Sequence, residues 1–183
     1  MKHQILFTGH MIDKPDREQK RFPQEKEEAV GLKIKEKLQE ELADITGQPS
    51  GIASGACGGD ILFHELCVKL GIPSDIYLAL SPADFKKKSV SCAGEGWEKR
   101  FDNLIQKLPF RVLPILEENK NDNVWERTNS WMLADALKNA GENMTLIALW
   151  DGKAGDGDGG TGQMIKIATA GDARIKLIDI TKL

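Results

Sequence analysis

Short apolar runs alternate with longer segments of helical spacing, and this alternation constrains the fold more than any other feature of the chain. Buried strands are predicted over residues 4–8, 50–54, 75–80, 110–116, 144–150 and 174–180. Helices are predicted over residues 24–46, 60–70, 96–108, 124–140 and 161–170. Because strands that alternate with helices form βαβ units, the sequence predicts an α/β fold with a mostly parallel sheet.

The predicted strands are almost entirely apolar, as strands covered on both faces should be. Right-handed crossovers then predict a doubly wound sheet of about six or seven strands with helices on both faces. A chain of 183 residues suits one domain over residues 1–183. In such sheets, ligands bind at the loops that follow the carboxyl ends of the strands.

The composition limits the classes of partner that the chain is expected to bind. Apolar residues make up 40% and charged residues 29%, with a net charge of -3, so we expect neither nucleic acid nor a membrane as partner. The apolar run at the start is too short for a signal peptide, which predicts a cytoplasmic protein. Cys57, Cys67 and Cys92 have no C-x-x-C spacing and the three histidines are scattered, so we expect no disulfide framework and no metal.

The loop predicted after the first strand is unusually long for a strand-to-helix connection. Gly9 lets the chain leave the strand tightly, and the loop then displays His10, Asp13, Arg17 and Arg21. The two arginines could bind a phosphate or carboxylate through paired hydrogen bonds. The alternative is a solvated charged loop.

The loop predicted after the second strand reads "SGACGGD" over residues 54–60. Its backbone N–H groups could hold an anion at the start of the next helix, for which Asp60 could be the N-cap. Cys57 could be a nucleophile, although a small residue filling a tight turn is the preferred interpretation. The candidate ligand-binding residues are Ser54, Gly55, Gly58, Gly59 and Asp60.

The loops after the third and fourth strands give weaker signals. Ser81 closes the third strand and is a candidate ligand-binding residue, and the lysines at 86–88 form a basic cluster or a solvated surface. Trp97 and Phe101 are predicted to pack in the core. Asn129 is a further candidate, because an inward-facing amide needs a partner that a ligand could supply.

A second glycine-rich loop, "DGKAGDGDGGTG" over residues 151–162, follows the fifth strand and opens onto a helix. Its candidate anion-binding residues are Gly159, Gly160, Thr161 and Gly162. The aspartates of this loop lack the order of an EF-hand calcium site. Since both glycine loops follow parallel strands, the sequence predicts that they form two walls of one site.

Several stretches in this order resemble the SLOG superfamily: "FTGHMID", "IASGACGGDILF", "LSPADFKKKSV" and "LWDGKAGDGDGGTGQMI". These are Rossmann-like domains related to the LOG phosphoribohydrolases and the DNA-processing Smf proteins, and the resemblance covers essentially the whole chain. It implies a nucleotide-like small-molecule ligand, a bacterial signalling or defence role, and a chain that could form a homodimer. It implies no cofactor.

LOG enzymes carry a P-G-G-x-G-T-x-x-E motif, and residues 158–165, "DGGTGQMI", lack its final glutamate. The sequence therefore predicts binding or sensing of a nucleotide or nucleotide-derived ligand. The alternative is a hydrolase or transferase that cleaves the N-glycosidic bond of a nucleoside or nucleoside monophosphate. That reaction needs a carboxylate, for which Asp13 and Asp151 are the first candidates and Asp60 and Glu95 the next. A fold that retains no ligand is a third option, against which the long loops argue.

Overall fold

The structure, a computed structural model, describes residues 2–114, 123–138, 143–153 and 160–183. It is an α/β fold built on a six-stranded sheet in which all paired strands are parallel. The strands are β1 (Lys2–Gly9), β2 (Gln48–Ala53), β3 (Ser74–Leu78), β4 (Phe110–Val112), β5 (Met144–Trp150) and β6 (Arg174–Asp179). The helices of the described ranges are α1 (Glu27–Asp44), α2 (Gly59–Leu70), α3 (Pro82–Ser89), α4 (Glu95–Lys107), α5 (Val124–Leu137) and α6 (Thr161–Ala170).

The strand order β4-β3-β2-β1-β5-β6 places a topological switch point between β1 and β5. The chain runs outward from β1 to β4 and then crosses back to β5. Helices α1 to α4 supply the core on one face, and α5 and α6 supply it on the other. The loops after β1 and β5 therefore leave towards opposite faces, which opens a crevice at their carboxyl ends. The prediction of a Rossmann-like, doubly wound sheet is confirmed.

Alternate side chains of the strands fill two separate cores. Ile5 and Phe7 of β1 belong to the core beneath α1 and α2, and Leu6 belongs to the core beneath α5 and α6. All three are fully buried. Burial on both faces explains why the strands read as continuous apolar runs.

Helix α1 packs on the sheet through Val30, Ile34 and Leu38, which are spaced by about one helical turn. Leu32, although apolar, does not share this buried face and is 61% exposed. Two residues of α-helix rotate a side chain by roughly 200°, which turns Leu32 away from its neighbours at 30 and 34. The helix begins at Glu27, after a 3₁₀ turn over Gln24–Lys26.

Helix α3 was missed by the sequence analysis, which indicated a polar loop there. Ser81 is its N-cap, with Oγ 3.3 Å from the Asp84 N–H that it accepts, and Pro82 occupies the first turn. Phe85 is buried and stacks on Phe101 at 5.9 Å between ring centroids. Eight residues are too few for helical periodicity to stand out in the sequence.

The other predicted elements exist, with shifted ends. Strand β4 ends at Val112 rather than at residue 116, and helix α5 ends at Leu137 rather than at residue 140. Residues 115, 116, 139 and 140 lie outside the described ranges. Trp97 and Phe101 are buried as predicted.

Candidate functional site: the carboxyl ends of β1 and β5

One carboxylate holds the loop after β1 in a closed turn. Asp13 Oδ2 accepts the backbone N–H groups of Arg21 (2.8 Å) and Phe22 (2.9 Å), and the Asp13 N–H donates to Phe22 O at 2.9 Å. Arg17 Nε lies 3.5 Å from Asp13 Oδ1. The Asp13 side chain is only 5% exposed. This carboxylate therefore organises the loop and positions two arginines at its ends.

Asp151, the first residue after β5, joins the two loops. Its Oδ2 lies 3.3 Å from Arg21 Nε, and its Oδ1 lies 3.4 Å from His10 Nε2. Oδ1 also accepts the Lys153 N–H at 3.0 Å. The backbone N–H of Asp151 donates to His10 Nε2 at 3.2 Å. A ring nitrogen that accepts a hydrogen bond carries no proton, so His10 is neutral in this arrangement.

Burial and neighbouring charges set the protonation of this pair. Burial lowers the pKa of His10, and Arg21 adds to the effect while Asp151 opposes it. Burial alone would raise the pKa of Asp151, but the Lys153 N–H, His10 and Arg21 outweigh it and hold the pKa below its ordinary value. At neutral pH, Asp151 is therefore ionised and His10 is neutral.

A cleft of about 520 Å³, called the first cleft, opens beside these loops. Its lining includes Gly9, His10, Asp13, Arg17, Arg21, Gly160 and Thr161. The Arg17 and Arg21 side chains are 32% and 17% exposed, and both line the cleft while paired with Asp13 and Asp151. Asp151 is not in the lining, and its side chain, in contact with Arg21, is 5% exposed. Two cationic side chains are therefore part of the lining that an anionic ligand would meet.

The start of α6 also lines the first cleft, through Gly160 and Thr161. Gly160 is its N-cap and carries no side chain, and within the described residues no side-chain hydrogen bond caps the helix. Backbone N–H groups and a partial positive charge at a helix start can bind an anionic ligand. Gly162 instead packs against Trp150, since a Cβ on it would lie 3.2 Å from the indole ring. Gly159 lies outside the described residues.

The glycines of the 54–60 loop serve close packing. Gly58 has φ +105°, and a Cβ on it would lie 2.7 Å from Ile12 N and 2.9 Å from His10 O. The Ile12 N–H donates to Cys57 O at 3.1 Å, and the Gly59 N–H donates to His10 O at 3.2 Å. This loop is therefore hydrogen-bonded along the loop after β1.

None of the three glycines of this loop that were candidates lines the first cleft: Gly55, Gly58 and Gly59. A Cβ on Gly55 or Gly59 would lie 3.0 Å from Phe101 or 2.9 Å from Phe7, respectively. The prediction of Asp60 as N-cap was wrong, because α2 begins at Gly59 and Gly58 is the N-cap. The positive φ that the chain needs at this point suits glycine and not aspartate.

A second cleft of about 490 Å³ lies on the α5 side of the same edge. It shares Gly9, Met11, Gly160 and Thr161 with the first cleft. Its polar and aromatic lining includes Ser54, Asp60, Lys88, Ser89, Trp125, Thr128 and Asn129. The candidates Ser54, Asp60 and Asn129 thus lie in the lining of one cleft. Ser81 is the N-cap of α3 and lines neither cleft.

Asp60 is the titratable group that stands out in the second cleft. Its side chain is buried, and Oδ2 accepts the Ala56 N–H at 3.3 Å. Burial raises the pKa of Asp60 to about 7, against the opposing effect of that hydrogen bond. Near neutral pH, this carboxyl can therefore donate or accept a proton.

The lining residues that were not among the sequence candidates include Trp125, Lys88 and Ser89. Trp125 is 38% exposed in the first turn of α5. The sequence shows one hint of this position: an aromatic residue in the first helical turn after the capping residue Asn123. Lys88 and Ser89 reach the cleft because they belong to α3, and the periodicity of the sequence does not indicate that helix.

Cys57 is fully buried, with its Sγ 3.8 Å from Cys92 Sγ. Burial raises the pKa of the Cys57 thiol far above its ordinary value, and Cys92 adds to that effect. This disfavours the thiolate that a nucleophile requires. Among the described residues, no group of three or more His, Cys, Asp or Glu side chains could hold a metal ion.

Comparison with protein-family models and with curated proteins finds no match for the chain. Within the described ranges, no helix is long and apolar enough to cross a membrane.

Proposed function

We propose that the chain binds or senses a nucleotide or nucleotide-derived ligand at the carboxyl edge of its sheet. The observation that carries the proposal is the first cleft, whose lining brings Arg17 and Arg21 together with Gly160 and Thr161 at the start of α6. Two guanidinium groups and a helix N-terminus together suit a phosphate group. The resemblance to SLOG domains supports the same ligand class.

The proposal includes a cytoplasmic location, which follows from the short apolar run at the start of the sequence. The resemblance to SLOG domains adds a bacterial signalling or defence role, with a homodimer as one expected form. Size-exclusion chromatography with light scattering measures the form present in solution, with and without nucleotide.

A hydrolase or transferase acting on an N-glycosidic bond is the second candidate, and Asp60 favours it. A buried carboxyl with a raised pKa that lines a cleft can act as a general acid. Asp13 is engaged by the backbone of its own loop, and Asp151 lies behind Arg21. Of the three carboxyl groups, Asp60 is therefore the best placed to protonate a leaving group.

Calorimetric titration with the four nucleoside 5′-monophosphates and NAD tests binding, and chromatography of the same mixtures tests for free base. We expect Arg21→Gln to weaken nucleotide binding by about tenfold or more, because a charge-assisted hydrogen bond contributes about 1.5–3 kcal/mol. Lys20→Gln is the matched control, since Lys20 is on the same loop but lines neither cleft.

Wild-type protein that binds none of these nucleotides contradicts the proposal. Equal weakening by Arg21→Gln and Lys20→Gln indicates a response to net charge instead of a site. Release of free base that Asp60→Asn abolishes replaces sensing by the enzymatic alternative.

A further inference from the structure

Trp125 presents an oriented aromatic surface to the second cleft. Its ring lies 5.8 Å from that of Phe85, centroid to centroid, at an interplanar angle of 58°. Phe85 is itself buried and stacked on Phe101. Asn123 Oδ1 accepts a hydrogen bond from the backbone N–H of Trp125 at 3.0 Å and fixes the start of the helix. The indole is therefore held by a buried aromatic pair and remains 38% exposed.

Polar groups lie around the same cleft as this indole. Asp60 is buried there, and the hydrogen bond from Ala56 N–H engages only its Oδ2 within the described residues. Lys88 is the other charged residue of the lining. Ser54, Ser89 and Asn129 add neutral hydrogen-bonding groups. An aromatic surface with polar groups nearby suits a planar heterocycle, which stacks through its face and forms hydrogen bonds through its edge.

The two clefts adjoin each other, since they share lining residues, among them Gly9, Gly160 and Thr161. Arg17 and Arg21 lie in the first cleft, whereas Trp125 and Asp60 lie in the second. One ligand with an anionic end and an aromatic end can therefore occupy both clefts in a single orientation.

We propose that the second cleft binds the heterocyclic base of the ligand, stacked on Trp125 with its polar edge towards Asp60, while the phosphate lies in the first cleft. This proposal rests on the proposed function and adds the direction in which the nucleotide lies. It identifies Trp125 as a binding residue and requires that the base contribute to affinity independently of the phosphate.

The test compares two probes, the tightest-binding nucleoside 5′-monophosphate and ribose 5-phosphate, which has the same sugar and phosphate but no base. We expect Trp125→Ala to weaken nucleotide binding about fivefold or more, the effect of losing one stacked base. Ribose 5-phosphate binding should not change. Trp125→Phe retains an aromatic ring and should restore most of the nucleotide affinity.

A second measurement does not depend on the alanine variant. A base stacked on Trp125 should make nucleotide quench the tryptophan fluorescence of the wild type more than ribose 5-phosphate does, since ribose 5-phosphate reports the response of Trp150 in the first cleft. This extra quenching should disappear in Trp125→Phe while calorimetric binding persists. Extra quenching that survives unchanged in Trp125→Phe contradicts the proposal, as does an alanine variant that folds and binds nucleotide with wild-type affinity.

Other outcomes separate this proposal from the proposed function. Equal loss of affinity for both probes in Trp125→Ala, or equal affinity of the wild type for both probes, overturns the base site and leaves phosphate binding in place. Wild-type protein that binds neither probe overturns both proposals.

Discussion

At each end of the sheet, a buried carboxylate, a histidine and two basic side chains form one cluster. At the amino end, Glu41 is fully buried and Thr145 Oγ1 donates to its Oε1 at 2.7 Å. His3 Nε2 lies 3.1 Å from the same oxygen, and Arg174 and Lys176 lie 3.3 and 3.1 Å from the carboxylate. The four partners tie α1 to β1, β5 and β6.

At the carboxyl end, Asp151 contacts His10 and Arg21, and Asp13 holds Arg17 nearby. In both clusters, burial lowers the pKa of the histidine. The clusters differ in their surroundings. No member of the Glu41 cluster lines either cleft, whereas His10, Arg17 and Arg21 line the first. A buried charged network is therefore not itself evidence of a site, and the feature that distinguishes the carboxyl end is that its charged side chains line a cleft.

The largest expected effect is on stability at the amino end. Glu41→Ala should lower the free energy of unfolding by about 3 kcal/mol, because it removes a fully buried carboxylate from the hydroxyl of Thr145 and from Lys176 and leaves a cavity. Glu41→Gln retains an acceptor for Thr145 and should cost less. Urea denaturation measures both variants, and nucleotide affinity of the folded protein should stay unchanged. A clear loss of affinity would show that the two ends are coupled.

The pH dependence of stability is the next effect, and it arises near the carboxyl end. His64 is fully buried between Ser74 Oγ (3.0 Å) and Ser54 O (3.0 Å). Burial lowers its pKa to about 4, against the opposing hydrogen bonds to Ser54 and Ala53. Because the unfolded chain takes up the proton first, this contribution is complete above about pH 6.5 and is lost as pH falls towards 4.

Asp60 acts in the opposite direction, since its raised pKa makes the folded state gain stability as pH falls from about 7 towards about 4. Comparison with His64→Gln isolates the histidine. The difference in unfolding free energy between wild type and variant should shift by about 3 kcal/mol between pH 7 and 4. A difference that is independent of pH would mean that His64 does not stay neutral in the fold.

The third effect separates packing from binding at the carboxyl end itself. Gly58→Ala should cost about 2 kcal/mol or more, because it adds a close backbone contact to a positive φ. Gly94→Ala is the matched control: its φ is +95°, but nothing lies within 4 Å, so the cost should be about 1 kcal/mol. Thermal unfolding of both variants measures the difference. Equal costs would show that the contact with Ile12 is relieved by a small shift.

Periodicity and apolar runs were enough to predict the doubly wound sheet, because both features follow directly from burial on two faces. The long loop carrying Arg17 and Arg21 was also recognisable, since its length and charge are local properties. The role of Gly58 was not recognisable from the sequence, because "GACGGD" is the same sequence whether its N–H groups bind an anion or pack against the loop that contains Ile12. Trp125 and Asp60 meet only through the crossover from β4 to β5, so no spacing in the sequence places them in one cleft.

The most direct test of nucleotide binding at the carboxyl end is an amide chemical-shift titration of the labelled protein with a nucleoside 5′-monophosphate. We predict shifts concentrated at residues 9–21, at 150–153, at the start of α6 and at residues 54, 60, 88 and 125–129 of the second cleft, with residues 41, 145, 174 and 176 unchanged. Shifts concentrated at the Glu41 cluster, or no shifts at millimolar nucleotide, would contradict the account.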